Sequence, residues 1–388
     1  MSRSARSEDD GRRLLEDCRR GRLTRRQLIA RAGLLGVSAT ALGQLLAACG
    51  DDDAEPAASL SPSAVANPQG TAVLLDFPGW IGETELKDFS AKYPGAKIKM
   101  STNLPNSIAG VVQLIKNNPG AYDMALGDPA FVGQAKAAGV YQEPDWSLLP
   151  NLANVDQRFR DAYPDAPPTD WGMDVLAYRK DIVEEPVTSW TDFWALAPKY
   201  SGQLVVEDLD RATIAMALKY LGYSGNSTNE EEIQAAGDAL IELKPHLQAV
   251  TSVGAGSGLA KGTIAMAHCI NYEAAFAQGE NENVEWVIPA EGTFGYVEGF
   301  VPLKPSDHLD VVHAFLDFHL TPEVYAGFIN TTGSAWVMPA AEEFLDQGLL
   351  DTAALRPTAE QLDKVEWTKY IGEATVIYGQ VWQEFKAA

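Results

Sequence analysis

Tyr296 and Glu298 stand two residues apart in Gly295–Leu303 (GYVEGFVPL), a run that reads as a long strand. Side chains alternate along a strand, so the two share one face. An aromatic ring beside a carboxylate suits an alkylammonium. The ring face attracts the cation and the carboxylate accepts its hydrogens. Phe77 and Trp80 flank the turn Pro78-Gly79 directly after the first strand. That is where a parallel sheet presents its loops to a crevice. The same residues have ordinary uses too, Phe77 and Tyr296 as core and Glu298 as a solvated edge. Both readings stand at this point.

Other chemistry finds little support. No HExxH, CxxC or GxSxG occurs, and the five histidines (His246, His268, His308, His313 and His319) lack ligand spacing. No metal, cofactor or catalytic group is therefore expected, and an enzyme on this fold lacks its nucleophile–base pair. The run from Val253 to Gly258 (VGAGSG) reads as a flexible loop, with an anion cradle as the alternative. Lys261 follows at the wrong offset for a phosphate-binding loop. Of three cysteines, Cys269 reads as a small buried residue on a strand, and no disulfide is expected.

Strands and helices alternate from Thr71 onward, which implies a mostly parallel sheet covered on both faces. Expected strands include Thr71–Phe77, Ala96–Met100, Tyr122–Leu126, Val175–Tyr178, Gln203–Val206 and Ile264–Ala267. Helices are expected at Ile108–Lys116, Ala130–Ala138, Ala212–Leu221 and His308–Leu320, and one from Glu230 to Lys244 with three glutamates in its first turn. The 318 residues from Thr71 to Ala388 are too many for one ordinary core, so two α/β lobes with a crevice between them are expected. Fifty-three acidic residues against thirty basic ones give a formal charge of −23. Ten of the basic residues lie in the first 31, so the remainder is more acidic still. That excludes a nucleic-acid surface and is compatible with a cationic ligand.

The N-terminus reads as an export address. Arg25-Arg26 precede a glycine-diluted apolar stretch, Ala32 to Ala48, too short and mild to span a bilayer. The twin arginines resemble a twin-arginine export signal. Leu46-Ala47-Ala48-Cys49 resembles the lipobox of bacterial lipoproteins, with Cys49 as the lipid attachment site. Gly50 to Gly70, rich in Asp, Ala, Ser and Pro, reads as a tether.

Several segments then carry a family likeness: Ala121-Tyr122-Asp123-Met124, Trp146 to Asn151 (WSLLPN), Trp171-Gly172, Ser189 to Trp194 (SWTDFW), Leu221 to Ser227 (LGYSGNS) and Pro289 to Thr293 (PAEGT). From about Thr71 to its end the chain resembles the spermidine/putrescine-binding proteins of ABC transporters. The resemblance implies a two-lobed periplasmic-binding-protein type II fold, α/β, with a hinge and an interlobe cleft. It places the family's first aromatic on Phe77, with Trp80 close by. The family's Ser-x-Tyr falls on Asp128 and Ala130, its amine-binding aspartate on Leu209 between Asp208 and Asp210, and a tryptophan on Ile270, followed by Asn271 and Tyr272. Its Trp-x-Asp becomes Tyr296-Val297-Glu298, which keeps the chemistry.

The resemblance implies a small cationic ligand of the polyamine class and an ABC permease as partner, the lipobox implies attachment outside the cytoplasmic membrane through Cys49, and a monomer is the default expected for this class of protein. Another amine, an amino acid or an aminophosphonate on the same scaffold is the alternative. The expected segments are a signal peptide (1–48), a tether (49–70), first lobe (71–172), second lobe (173–296), a return to the first lobe (297–325) and C-terminal helices closing the second (326–388). Hinges are expected near Trp171 to Asp174 and near Val297 to Val301.

Overall fold

A computed structural model describes residues 60–388 except 106, 252 and 253. The twin arginines, the apolar stretch and Cys49 lie outside the described residues. Among those described, no helix is long and apolar enough to cross a membrane.

The chain opens with a short helix, α1 (Pro62–Ala66), inside the stretch expected to be tether. Ser61 caps it, and Val65 packs on the core. The backbone N–H of Gln69 donates to Asp310, so the end of this stretch is docked. β1 (Gly70–Leu75), α2 (Glu85–Lys92), β2 (Ala96–Ser101), α3 (Ile108–Asn117), β3 (Met124–Gly127) and α4 (Pro129–Ala138) then alternate. β1 pairs in parallel with β2 and β3. β4 (Pro168–Arg179) follows, then α5 (Trp190–Leu196), β5 (Leu204–Val206), α6 (Asp210–Tyr220), α7 (Glu230–Leu243) and β6 (Leu247–Val250). The chain continues through α8 (Ala255–Lys261), β7 (Met266–Ile270), α9 (Asn271–Glu280), β8 (Val284–Val287) and β9 (Thr293–Pro302). It ends with α10 (Leu309–His319), α11 (Pro322–Thr332), β10 (Ala335–Trp336), β11 (Val365–Trp367) and α12 (Ala374–Ala387).

The strands form two sheets that share β4. Its first half pairs with β9 and β10, and its second half with β7 and β8. β9 continues to the other side of the first sheet by pairing with β3. β4 runs antiparallel to β7, β8, β9 and β10, and β9 runs antiparallel to β3 and β4 but parallel to β11, so the sheets are mixed rather than mostly parallel. The sequence expects only Val175–Tyr178 of β4. Its first half, Pro-Thr-Asp-Trp-Gly-Met-Asp, carries the polar and turn-forming residues of a loop. It is a strand because β9 and β10 pair with it on both edges, and its polar residues are buried.

One apolar cluster, with Leu74, Phe89, Phe300 and Phe315, lies on one face of the first sheet. A second, with Trp190, Phe193, Leu240, Tyr378 and Phe385, gathers α5, α7 and α12 against the second sheet. α12 lies in the stretch 326–388 where C-terminal helices are expected, and its apolar positions Tyr378, Val381, Trp382 and Phe385 have helical spacing.

From Ala255 onward the Gly-rich run is helix rather than loop. α8 begins at Ala255, after Gly254 with φ +94°. A Cβ at Gly256 would lie 2.6 Å from the Glu273 carbonyl oxygen, and one at Gly258 would lie 2.2 Å from Ile264. The glycines permit close packing here rather than flexibility. The Gly256 N–H donates to the Glu273 carboxylate, so a side chain of this protein occupies the anticipated anion cradle.

The family-like segment Leu221–Ser227 wraps the Glu366 carboxylate. Glu366 accepts from Lys219 Nζ, Ser224 Oγ, the Gly225 N–H and Asn226 Nδ2. These donors hold its carboxyl at about 2, although burial alone would raise it. The depressed value means that its contribution is complete above about pH 4.5 and is lost as pH falls toward 2. Glu366→Ala is expected to cost about 1–3 kcal/mol at pH 7, because several donors lose their acceptor. Denaturant unfolding at pH 7 and pH 3 measures this, and the difference from wild type should shrink at pH 3.

Candidate functional site

The site is built on β4 and β9, neighbouring strands in the middle of the strand order. In the β4–β9 ladder, Asp170 stands opposite Glu298 and Gly172 opposite Tyr296. Directly opposed residues share a face. A Cβ on Gly172 would lie 2.6 Å from the Tyr296 ring, so the glycine leaves room for the ring to lie across β4. Tyr296 and Glu298 are half-buried, and Asp170 is buried.

The register of β4 shifts between Pro168 and Asp170, which marks a bulge at Thr169. Two bonds hold that bulge. The Tyr325 hydroxyl donates to the Thr169 carbonyl (2.6 Å), and Thr169 Oγ1 lies 3.2 Å from the Glu298 carbonyl as donor. The same Oγ1 lies 2.9 Å from Asp170 Oδ1, so its single hydrogen is shared between the two acceptors. Asp170 Oδ2 is buried without a hydrogen-bond partner among the described residues. Bulges of this kind re-aim a side chain.

β1 brings a further acid. Asp76 follows its last residue and is buried. Oδ1 accepts the Phe77 N–H (2.6 Å), and Oδ2 has no partner among the described residues. The next residues turn, with the Trp80 N–H donating to the Phe77 carbonyl (3.2 Å) and Gly79 at φ +78°. Phe77 is 48 % exposed. Trp80 is half-buried, with its ring edge-on to Phe328 at 6.4 Å.

Asp128 caps α4, accepting the Phe131 N–H (2.8 Å). The charge of Arg211 on α6 faces it. Asn226 Oδ1 accepts from Arg211 Nη2 (3.0 Å), and the guanidinium lies 4.9 Å from the Tyr378 ring centroid. Asp210 accepts the Arg211 N–H (2.8 Å) on the first turn of α6. Asp208 is exposed and pairs with Lys386 on α12 (2.6 Å), outside this group. Asn271 is buried between two backbones. Its Oδ1 accepts the Met173 N–H (3.2 Å), and its Nδ2 donates to the Ala354 carbonyl (2.9 Å). It therefore ties α9 to β4, whereas its neighbour Tyr272 is half-buried near Glu207 and Glu298.

Behind Tyr296 lies a second acidic pair. Glu207, at the end of β5, accepts the Ile270 N–H (2.9 Å) through Oε1, and its Oε2 is buried without a partner among the described residues. Asp174 Oδ2 lies 3.4 Å from His268 Nε2, and both residues are buried.

The structure thus puts Glu298, Asp170 and Glu207 near Tyr296, and Asp170, Asp128 and Asp76 near Glu298. Burial is the first cause pushing all five carboxyls above the ordinary range. Asp76 rises to about 8. Mutual repulsion adds to this, most clearly at Glu298, which feels Asp170, Asp128 and Asp76. Sequence reasoning found Asp128 and Glu298 and missed Asp76, Asp170 and Glu207. Asp76 follows an apolar strand and reads as its polar end, and Asp170 sits in a run that reads as loop. The available signal was the spacing Asp170-x-Gly-x-Asp174, which puts two acids and a gap on one strand face.

Buried carboxylates repel each other and lack water, so the arrangement favours a bound cation. It also fixes a pH dependence. A carboxyl raised in the folded state holds its proton where the unfolded chain has lost it. Stability therefore declines as pH rises from about 4 toward about 8. A cationic ligand favours the ionised forms, so its affinity should rise over the same window and binding should release protons. Thermal unfolding with and without ligand at pH 5, 6.5 and 8 checks both signs. Equal ligand shifts at all three values would show that these carboxyls do not take part.

Comparison with known proteins places these features in context. The profile of a family described as bacterial extracellular solute-binding protein matches residues 86–357. The spermidine/putrescine-binding periplasmic protein of Salmonella typhimurium is 27% identical over 361 residues, covering 91% of this chain and 97% of the relative. That of Escherichia coli K12 is 28% identical over 332 residues, covering 84% and 94%. Among solved structures, a putative spermidine/putrescine ABC transporter from Listeria monocytogenes superposes with a TM-score of 0.73 at 25% identity, covering 81% of this chain and 98% of its own. The TpPotD lipoprotein of Treponema pallidum superposes with a TM-score of 0.71 at 22% identity, covering 81% and 99%.

Proposed function

The chain belongs to the bacterial extracellular solute-binding protein family, and on that premise we propose that it captures a polyamine of the spermidine or putrescine kind and delivers it to an ABC permease. Its fold is the two-lobed α/β architecture of the periplasmic-binding-protein type II class. The observation that carries the reading is the set of buried and half-buried carboxylates near Tyr296 and Glu298, three of which (Asp76, Asp170 and Glu207) keep an oxygen without a partner among the described residues. An ammonium supplies the missing donors, and the ring takes the methylene chain beside it. The N–H of α8 that could have served the anionic end of a zwitterion is bonded to Glu273, which favours a polyamine over an amino acid or aminophosphonate.

β4 and β9 serve as the hinge in this proposal, because each takes part in pairing on both sides of the site. Lobe closure about such strands is a hinge motion. The approach of Arg211 to Asp128 and of Tyr370 to Gly133 on α4 would belong to the closed form. A Cβ on Gly133 would lie 2.0 Å from Tyr370 Cγ, so that contact is close. Export through the twin arginines and attachment through Cys49 complete the proposal and rest on Arg25-Arg26 and Leu46–Cys49. The curated relatives are periplasmic proteins, and one structural neighbour is a lipoprotein.

Calorimetric titration and thermal unfolding with spermidine, putrescine, agmatine, GABA, basic amino acids and 2-aminoethylphosphonate test the function. Ligand at about 100 times its Kd adds about 2.7 kcal/mol of stability. A response to polyamines, with none to zwitterions, supports the proposal. A response confined to zwitterions or the phosphonate overturns it. Radiolabelled palmitate incorporated by the native chain and lost in Cys49→Ala tests the anchor.

A further inference from the structure

We propose that Tyr370 and Gly133 form an interlobe latch, an uncharged contact that holds part of the ligand-free chain closed and so sets its affinity for ligand. This rests on the two-lobed closure of the proposed function and adds the element that balances it. The latch uses none of the acids near Tyr296.

Tyr370 is carried by a strap, residues 363–371, that is fastened to the second lobe on both sides of it. Glu366 accepts from Lys219 on α6 and from the Gly225 N–H (3.0 Å). The Asn226 amide brackets the next residues. Its Nδ2 donates to the Trp367 carbonyl (2.9 Å), and its Oδ1 accepts the Lys369 N–H (2.9 Å). Ile371, directly after Tyr370, is buried in the apolar cluster of the second sheet. The backbone around Tyr370 therefore moves with α6 and α12.

Its side chain meets the other lobe. Gly133 lies within α4, whose Phe131 and Val132 share a core with Val111 and Ile115 of α3. A Cβ on Gly133 would lie 2.0 Å from Tyr370 Cγ, 2.4 Å from its Cβ and 2.5 Å from its Cδ1, and these are the three nearest atoms. The root of the side chain fills the notch, and turning χ1 leaves Cβ where it is. An alanine at this position is therefore relieved only by moving the strap away from α4. Tyr370 is nevertheless 43 % exposed, so the contact sits at a rim rather than in a core. A rim contact between elements that ride on different lobes forms as the lobes approach and is lost as they part. Apparent affinity scales with the closed fraction, so the latch tunes binding without touching ligand.

The competing role is fixed packing beside the hinge. Trp367, three residues earlier, lies edge-on to Phe159 at 5.7 Å and to Trp171 of β4 at 6.0 Å. If Tyr370 merely extended that cluster, filling the Gly133 notch would lower ligand-free stability and leave the lobes as they are. A latch gives the opposite result. Parting the lobes relieves the clash, and alanine suits the interior of α4 better than glycine.

The experiment is small-angle X-ray scattering and thermal unfolding of ligand-free wild type, Gly133→Ala, Tyr370→Gly and the double variant, with calorimetric titration of each with spermidine. Gly133→Ala is expected to have a larger radius of gyration than wild type, to melt no lower, and to bind spermidine roughly 5- to 150-fold more weakly. Tyr370→Gly should expand the chain and weaken binding to a smaller degree, and it serves if Gly133→Ala fails to fold. Adding Gly133→Ala to Tyr370→Gly should cost little further affinity, because the atoms it would strike are gone. A radius of gyration equal to that of wild type in both single variants overturns the latch. So does a lower ligand-free melting temperature with spermidine affinity intact, or an affinity loss from Gly133→Ala that is the same in both backgrounds. If wild type binds no spermidine, the proposed function has failed, and scattering and melting of the ligand-free proteins still decide the latch.

Discussion

Glu298→Gln is expected to weaken polyamine binding by about 30-fold or more, the effect of removing one partner from a buried, hydrogen-bonded charge pair. The same change should leave the ligand-free protein at least as stable as wild type at pH 8. The reason is the company that Glu298 keeps. It is half-buried in register with Asp170, and the charges of Asp170, Asp128 and Asp76 all oppose its ionisation. A neutral amide of the same shape removes that repulsion. Ligand binding reverses the balance, because the ammonium then needs the charge that the free protein tolerates poorly. The two effects have opposite signs, which separates a binding role from a merely structural one. Calorimetry with spermidine and thermal unfolding without it read them independently. Lost affinity together with lost ligand-free stability would assign Glu298 to the framework instead.

Gly172→Ala is expected to damage the site through shape alone. The new methyl would sit 2.6 Å from Tyr296, well inside contact distance. The ring must leave the face of β4, or the β4–β9 ladder must open. Overpacking of this kind costs about 1–3 kcal/mol. Alanine also restricts the unfolded chain, which offsets about 0.4–1 kcal/mol, so the strain wins. A double-mutant cycle with Tyr296→Ala tests the cause. In that background the added methyl meets no ring, so Gly172→Ala should cost much less than it does in wild type. Denaturant unfolding of the four proteins measures the coupling. A cost that is the same in both backgrounds would place the clash elsewhere. Ligand affinity should fall in Gly172→Ala and stay low in the double variant, which has no ring at the site.

Several elements were legible from the sequence because each carries its own periodicity. α3, with Val111, Val112 and Ile115 buried on one face, matches Ile108–Lys116 almost to the residue. α5 begins at Trp190 after Ser189, whose side chain accepts the Asp192 N–H (3.0 Å). The pairing of Tyr296 with Glu298 on one face followed from the alternation of β9 alone. What failed was β4, whose polar residues imitate a loop, and α8, whose glycines imitate flexibility. In both cases contacts remote in sequence decide the outcome. β9 and β10 hem β4 on both edges, and Glu273 and Ile264 press on α8. The site divides in the same way. Asn271, reached through its position in the family pattern, spends both ends of its amide on backbone groups. Asp208 is taken by Lys386, 178 residues away.

The sequence by itself determined the class of scaffold, the order of its elements and the ring-plus-carboxylate chemistry of β9, because alternation and helical spacing are local properties of the chain. Only the tertiary structure decided which acids share the site. Asp170 and Glu298 lie far apart along the chain and meet because β4 pairs with β9, and the pairing of β1 with β3 and of β3 with β9 brings Asp76 into the same sheet. The unusual charge state of these acids follows from burial and mutual repulsion, which exist only after the strands have come together.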